Sequence, residues 1–191
     1  MDVANAQRVQ QVTDEVAERF GGVDYLINNA GIARSVAVDS ETYEDDWAIS
    51  VEVLLTAHTR TIRAALPYLR QSDAARIVNI ASTEGWGATK FNSPYTAAKH
   101  GVIGLTKALA VDLGREAITV NCICPGPIDT AMTADIPDEH KIIFAKRRTA
   151  LGRYAQPEEV AHGTFNFCLP ASQYMTGAIL PVDGGLLIKN A

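Results

Sequence analysis

Arg76-Ile77-Val78-Asn79-Ile80-Ala81 and, further along, Ile118-Thr119-Val120-Asn121-Cys122-Ile123-Cys124 decide how this chain folds. Each is a nearly unbroken apolar run of strand length, the composition of a strand buried on both faces. Between them Ser93 caps a helix and Pro94 takes its first position. Val102, Leu105, Leu109 and Leu113 then run along one side to a stop at Gly114. Strand, amphipathic helix, strand is a crossover unit, and strands joined in this way lie parallel.

The same alternation extends in both directions. Upstream, Val9, Val12, Val16 and Phe20 recur at helical spacing from an Asn5 cap, and Gly21-Gly22 ends the pattern before the short strand Tyr25-Leu26-Ile27. The stripe Trp47, Val51, Leu54, His58, Ile62, Ala65 and Leu69 predicts one face of a long helix of about six turns at 3.6 residues per turn. Downstream, Gln156-Pro157-Glu158-Glu159 opens a fourth helix with carboxylates in its positive first turn, and Ala178 to Val182 is a last strand. The expected fold is α/β, a Rossmann-like doubly wound parallel sheet covered on both faces. The stretch from Pro125 to Arg153 is expected to be irregular, with a lid over roughly residues 130–153.

The 191 residues, 47% hydrophobic, suit a single domain over 1–191. A net charge of -5 argues against nucleic acid or an anionic membrane as the partner and for a small neutral or polar ligand. Cys122, Cys124 and Cys168 lack metal-ligand spacing, so they are expected to be reduced core residues, with no metal site. With no export signal and no apolar run long enough to span a bilayer, a cytoplasmic location is expected. His140, Lys141, Lys146, Arg147 and Arg148 either meet an anionic substrate or form a solvated charged face.

Residues four apart on a helix share a face, so Tyr95 and Lys99 point the same way. A free phenol, with a pKa of about 10, exchanges protons poorly near neutrality, and a neighbouring ammonium is expected to lower it. Ser82 follows the carboxyl end of a strand, where open parallel sheets place their ligands, and its hydroxyl can hold a carbonyl oxygen. A Tyr-x-x-x-Lys pair alone occurs by chance in many helices.

This pair has company. Asn28-Asn29-Ala30-Gly31, Ile77-Val78-Asn79-Ile80-Ala81-Ser82, Tyr95-Thr96-Ala97-Ala98-Lys99, Pro125-Gly126-Pro127-Ile128-Asp129-Thr130, and Thr176-Gly177 followed by Val182-Asp183-Gly184-Gly185 stand in a known order. In this the chain resembles the short-chain dehydrogenase/reductases from Asp2 to its end. The resemblance implies an oxidoreductase that moves hydride between NAD or NADP and a small-molecule carbonyl/alcohol substrate, 3-oxoacyl reductase-like or sugar/alcohol dehydrogenase-like. It makes Tyr95 the general acid or base, Ser82 the residue that orients the substrate oxygen, and Lys99 a holder of the nicotinamide ribose. Asn28, Ala30 and Gly31 would line the cofactor, Pro125, Gly126, Ile128 and Thr130 would wall the nicotinamide, and Asp2 and Val3 would contact adenine. It also implies a homodimer or homotetramer packed through the helices that carry Leu54 and Tyr95.

Two departures from the family pattern bear on function. On this alignment the chain starts where the third strand of a complete member ends, without the glycine-rich phosphate turn. The strand at Tyr25 is therefore expected to be an exposed apolar edge, and the chain by itself to bind coenzyme weakly. Leu54 stands where the family usually has an asparagine that anchors a water beside the lysine, and leucine cannot hydrogen-bond. His58, one turn on and titrating near neutrality, is either a replacement in that relay or a core or interface histidine. A non-catalytic remnant acting as an interaction subunit is the alternative function. An epimerase or lyase fits less well, because little chain follows Asp183 to form a substrate domain. Glu84, Trp86 and the segment Ala131 to Arg153 are expected to line the substrate pocket.

Overall fold

The fold is described from a computed structural model covering residues 1–190. Helix α1 spans Ala6–Phe20; Asn5 Oδ1 accepts the Arg8 N–H at 2.9 Å, and Gly21 closes the helix in the left-handed region at φ 83. Strand β1 is Tyr25–Asn28. The long helix comes as α2, Tyr43–Val51, and α3, Ala57–Leu69, joined through one π turn over Glu52–Thr56. A π turn inserts a residue into the helical repeat, so the expected single stripe does not run the whole length. Leu54, His58, Ile62, Ala65 and Leu69 are buried, but ahead of the π turn Ser50 faces inward and Trp47 is 38% exposed.

Strand β2 is Arg76–Ile80, helix α4 Ser93–Leu113 and strand β3 Thr119–Pro125. Helices α5, Asp138–Arg148, and α6, Pro157–Asn166, precede strand β4, Ile179–Val182. The sheet is parallel throughout in the order β1-β2-β3-β4. Helices α3 and α4 cover one face through Ile62, Leu69, Ile77, Leu113 and Val120. On the other face Val78 and Ile123 pack with Val160, Phe167 and Cys168, beside and just after α6. Burying a side chain such as Ile77 or Ile123 contributes roughly 1.5–3 kcal/mol. The second face is open at β1, where Tyr25 and Ile27 are 46% and 40% exposed, and among the described residues β1 has β2 as its one neighbour.

A polar chain crosses this core. Thr61 Oγ1 donates to Asn28 Oδ1 at 2.6 Å, Asn28 Nδ2 to Asn79 Oδ1 at 2.9 Å, Asn79 Nδ2 to Thr106 Oγ1 at 3.0 Å, and Thr106 Oγ1 to Val102 O at 2.8 Å. In a low-dielectric interior a satisfied chain of this kind locks its elements in one register, here α3, β1, β2 and α4.

The segment from Pro125 to Arg153 is not irregular as expected, since α5 occupies its centre. Its apolar residues, Ile142, Ile143, Phe144 and Ala145, are consecutive rather than periodic, which hides the helix from a stripe count. Asp138 and Glu139 in the first turn and Lys146, Arg147 and Arg148 in the last complement the helix dipole. A parallel bridge between Ile128 and Ala155 closes the base of the segment. All three cysteines are free and buried. Among the described residues no helix is long and apolar enough to cross a membrane, and no cluster of His, Cys, Asp and Glu could hold a metal ion.

Candidate active site

The carboxyl end of β2 and the first turns of α4 meet at Ser82, Tyr95 and Lys99. Ser82 lies two residues past β2 in extended backbone and caps the one-turn 3-10 helix Thr83–Gly85, its Oγ accepting the Glu84 N–H at 3.1 Å. That bond occupies a lone pair and leaves the hydroxyl proton free to be donated outward. Lys99 is 4% exposed, and its Nζ donates to Ile80 O at 2.8 Å, tying α4 to the strand that leads to Ser82. The same Nζ stands 5.5 Å from the centroid of the Tyr95 ring.

The electrostatics correct one expectation. Tyr95 lies above its ordinary value rather than below it: burial raises the phenol, the Ser82 hydroxyl opposes the rise, and the Glu84 carboxylate adds to it. The ammonium is turned toward Ile80 O and is itself desolvated, which lowers Lys99 to about 8 against the opposing influence of the Cys122 and Cys124 sulfurs. His58 does not titrate near neutrality. It is a core residue, 2% exposed, with Nε2 unpartnered, and burial followed by the Lys99 charge lowers it to about 4.

A cavity of about 760 Å³ opens over these groups. Ser82, Tyr95 and Lys99 border it together with Pro125, Gly126, Ile128 and Thr130 at the end of β3, and with Gly31. Asp2, Val3, Asn28 and Ala30 do not border it. Asp2 Oδ1 accepts the Ala4 N–H at 2.9 Å ahead of α1, and the Asn28 side chain is committed to the core chain. Asn29 faces the cavity instead. Strand parity carries this signal, for with Asn28 turned inward the next residue turns out. Leu54, Met132 and Thr133 also line it, whereas Glu84 and Trp86 do not. The Glu84 carboxylate is bound to Thr89 and Thr96, and Trp86 is 52% exposed.

Two glycines shape the floor in different ways. A Cβ on Gly126 would fall 2.7 Å from the Asp183 Cα, so only glycine lets the end of β3 approach that loop. A Cβ on Gly31 would meet Leu54 at 3.5 Å and Met132 at 3.9 Å, ordinary contacts, and its absence leaves that space to the cavity. The arrangement can hold a carbonyl or alcohol oxygen between two hydroxyls, one of them a half-buried protonated phenol, beside a cradle open to a flat ligand. A nicotinamide coenzyme fits this set of donors and this open wall.

Comparison with known proteins agrees with the geometry. A family model described as enoyl-(acyl carrier protein) reductase matches residues 1–187. The chain is 35% identical over 188 residues to the 3-oxoacyl-(acyl-carrier-protein) reductase of Thermotoga maritima, covering 98% of this chain and 76% of that one. It is 38% identical over 185 residues to the meso-2,3-butanediol dehydrogenase of Serratia marcescens, covering 97% and 72%. Carveol dehydrogenase from Mycobacterium avium, solved in complex with NAD, superposes with a TM-score of 0.93 at 27% identity, covering 99% of this chain and 74% of that one.

Proposed function

Because the chain belongs to the short-chain dehydrogenase/reductase family of oxidoreductases, we propose that it interconverts a carbonyl and an alcohol with NAD or NADP, using Ser82, Tyr95 and Lys99. The observation that carries this is the convergence of those three side chains on one cavity walled by Gly31, Pro125, Gly126, Ile128 and Thr130. When bound, the coenzyme supplies the hydride to the substrate carbon or accepts it. The substrate oxygen takes hydrogen bonds from the Ser82 and Tyr95 hydroxyls, which keeps its carbon at a fixed position. As negative charge grows on that oxygen the Tyr95 proton transfers to it, and in alcohol oxidation the tyrosinate takes the proton back. The Ser82 hydroxyl favours this step by stabilising the tyrosinate, while the Lys99 ammonium, held on Ile80 O, is placed to bind the coenzyme.

Gly31, Pro125, Gly126, Ile128, Thr130, Tyr95 and Lys99 are the residues we assign to the coenzyme. Asp2, Val3 and Ala30 are weaker candidates, since they do not border the cavity, and Asn28 acts through β1. The largely apolar lining, which includes Leu54, Ile128 and Met132, supports a 3-oxoacyl or alicyclic ketone over a sugar. The segment over residues 130–153 serves as the lid of a single domain. Exposed Trp47 and Ile49 on α2 and Val111 on α4 support a homodimer or homotetramer through those helices. The test follows reduced-coenzyme absorbance with NADH and NADPH against a panel of 3-oxoacyl thioesters and cyclic ketones. Tyr95→Phe is expected to lower kcat by roughly 10²–10⁴-fold; undiminished turnover in that variant overturns the assignment.

A further inference from the structure

A single carboxylate joins the pieces of chain that must hold still around Ser82 and Tyr95. Glu84 lies two residues after Ser82, and its N–H is the donor to Ser82 Oγ. Its Oε2 accepts the Thr89 N–H at 2.9 Å and the Thr96 hydroxyl at 2.8 Å, while Oε1 accepts the Thr89 hydroxyl at 2.6 Å. Thr96 adjoins Tyr95 in the first turn of α4, and Thr89 sits within the loop 86–92. Hydrogen bonds to an ionised acceptor are roughly twice as strong as neutral ones.

Two observations show that this region is closely seated and under strain. A Cβ on Gly85 would fall 2.6 Å from Ile103 Cδ1 and 2.9 Å from Lys99 O, so the turn carrying Glu84 lies flush on α4. The loop holds Phe91 at φ 62, a left-handed conformation that is costly for a residue with a β-carbon. It is tethered by Val36 N–H to Phe91 O at 2.8 Å on one side and by Glu84 on the other.

We propose that Glu84 is a positioning residue for the reaction, its carboxylate clamping loop 86–92 to the first turn of α4 and so setting where the Tyr95 hydroxyl stands relative to Ser82. The inference rests on the assignment of Ser82 and Tyr95 made above. The clamp also has an electrostatic side. Tyr95 is faced by Ser82 and Glu84 from the turn after β2 and by Lys99 from its own helix; Lys99 is faced in turn by His58 from α3 and by Cys122 and Cys124 from β3. In this set the Glu84 charge helps keep the proton on the phenol, the form a general acid needs before it acts.

The test uses Glu84→Gln, Glu84→Ala and Thr96→Val in the full chain. Tyrosinate absorbance is titrated against Tyr95→Phe, and acrylamide quenching follows Trp86 in the loop, all variants carrying Trp47→Phe so that Trp86 is the one tryptophan; neither needs coenzyme or substrate. Glu84→Gln keeps an oxygen for Thr89 N–H and Thr96 and loses the charge, so Tyr95 is expected to titrate at lower pH with quenching unchanged. Glu84→Ala and Thr96→Val release the clamp, so quenching of Trp86 rises in both, and kcat falls while KM for coenzyme holds. An unshifted Tyr95 titration in Glu84→Gln, or unchanged quenching in both other variants, overturns the proposal. Should Glu84→Ala fail to fold, Thr96→Val and Glu84→Gln still decide it. Absence of reductase activity in the unsubstituted protein overturns the functional assignment alone, and the two optical readouts then still decide the clamp.

Discussion

Acid should destabilise this protein through His58, and the size of the effect follows from its burial. The imidazole is 2% exposed with Nε2 unpartnered, and its pKa is lowered from 6.5 to about 4, by desolvation first and by the Lys99 charge second. The folded state therefore binds fewer protons than the unfolded chain between those two values. Stability from this group is complete above pH 6.5 and is lost as pH falls through about 4. The gap between 6.5 and about 4, at ~1.36 kcal/mol per pH unit, amounts to about 3 kcal/mol, a large share of the ~5–15 kcal/mol typical of a folded domain. Urea unfolding of the unsubstituted protein and of His58→Leu, from neutrality down to about pH 4, isolates the term, because every carboxylate titrates in both. The variant should be as stable at neutral pH or slightly more so, since an orphaned buried polar atom is removed. Its loss of stability toward acid should be smaller by about 3 kcal/mol. Parallel pH dependences, or an NMR titration that places His58 near its ordinary value, would refute the reasoning.

Two further substitutions test the framework around the site. Gly126→Ala forces a Cβ to within 2.7 Å of the Asp183 Cα and should cost about 1–3 kcal/mol in thermal unfolding, while Gly31→Ala, with contacts of 3.5 Å and beyond, should leave the melting temperature nearly unchanged. Asn79→Ala leaves Asn28 Nδ2 without its acceptor and should cost roughly 1–3 kcal/mol for that group. The double variant with Asn28→Ala should cost less than the sum of the two, measured by a denaturant-unfolding cycle.

Much of the proposed site could be read directly from the chain because it depends on local geometry. Tyr95 and Lys99 share a face through the helical repeat, and Ser82 follows a strand whose apolar run marks its own end. The departures all concern the surroundings of those residues. Spacing alone brings an ammonium near a phenol, but burial governs the Tyr95 pKa, and Lys99 is turned to Ile80 O. Of the motif Asn28 to Gly31, Asn29 and Gly31 line the cavity. Which of the two asparagines enters the core was decided by the partners waiting there, Asn79 and Thr61. Glu84 was expected to line the pocket, yet three hydrogen bonds draw its carboxylate to Thr89 and Thr96.

Periodicity and punctuation therefore determined the main alternation of helices and strands, the parallel sheet and the meeting of Ser82, Tyr95 and Lys99 on one cavity, since each depends largely on local chain geometry. The π turn between α2 and α3, the helix α5 with its consecutive apolar residues, the core chain from Thr61 to Thr106 and the proton affinities of Tyr95, Lys99 and His58 were decided only by tertiary structure. Each of these depends on groups brought together from distant parts of the chain, where desolvation and partner geometry outweigh what any residue prefers alone.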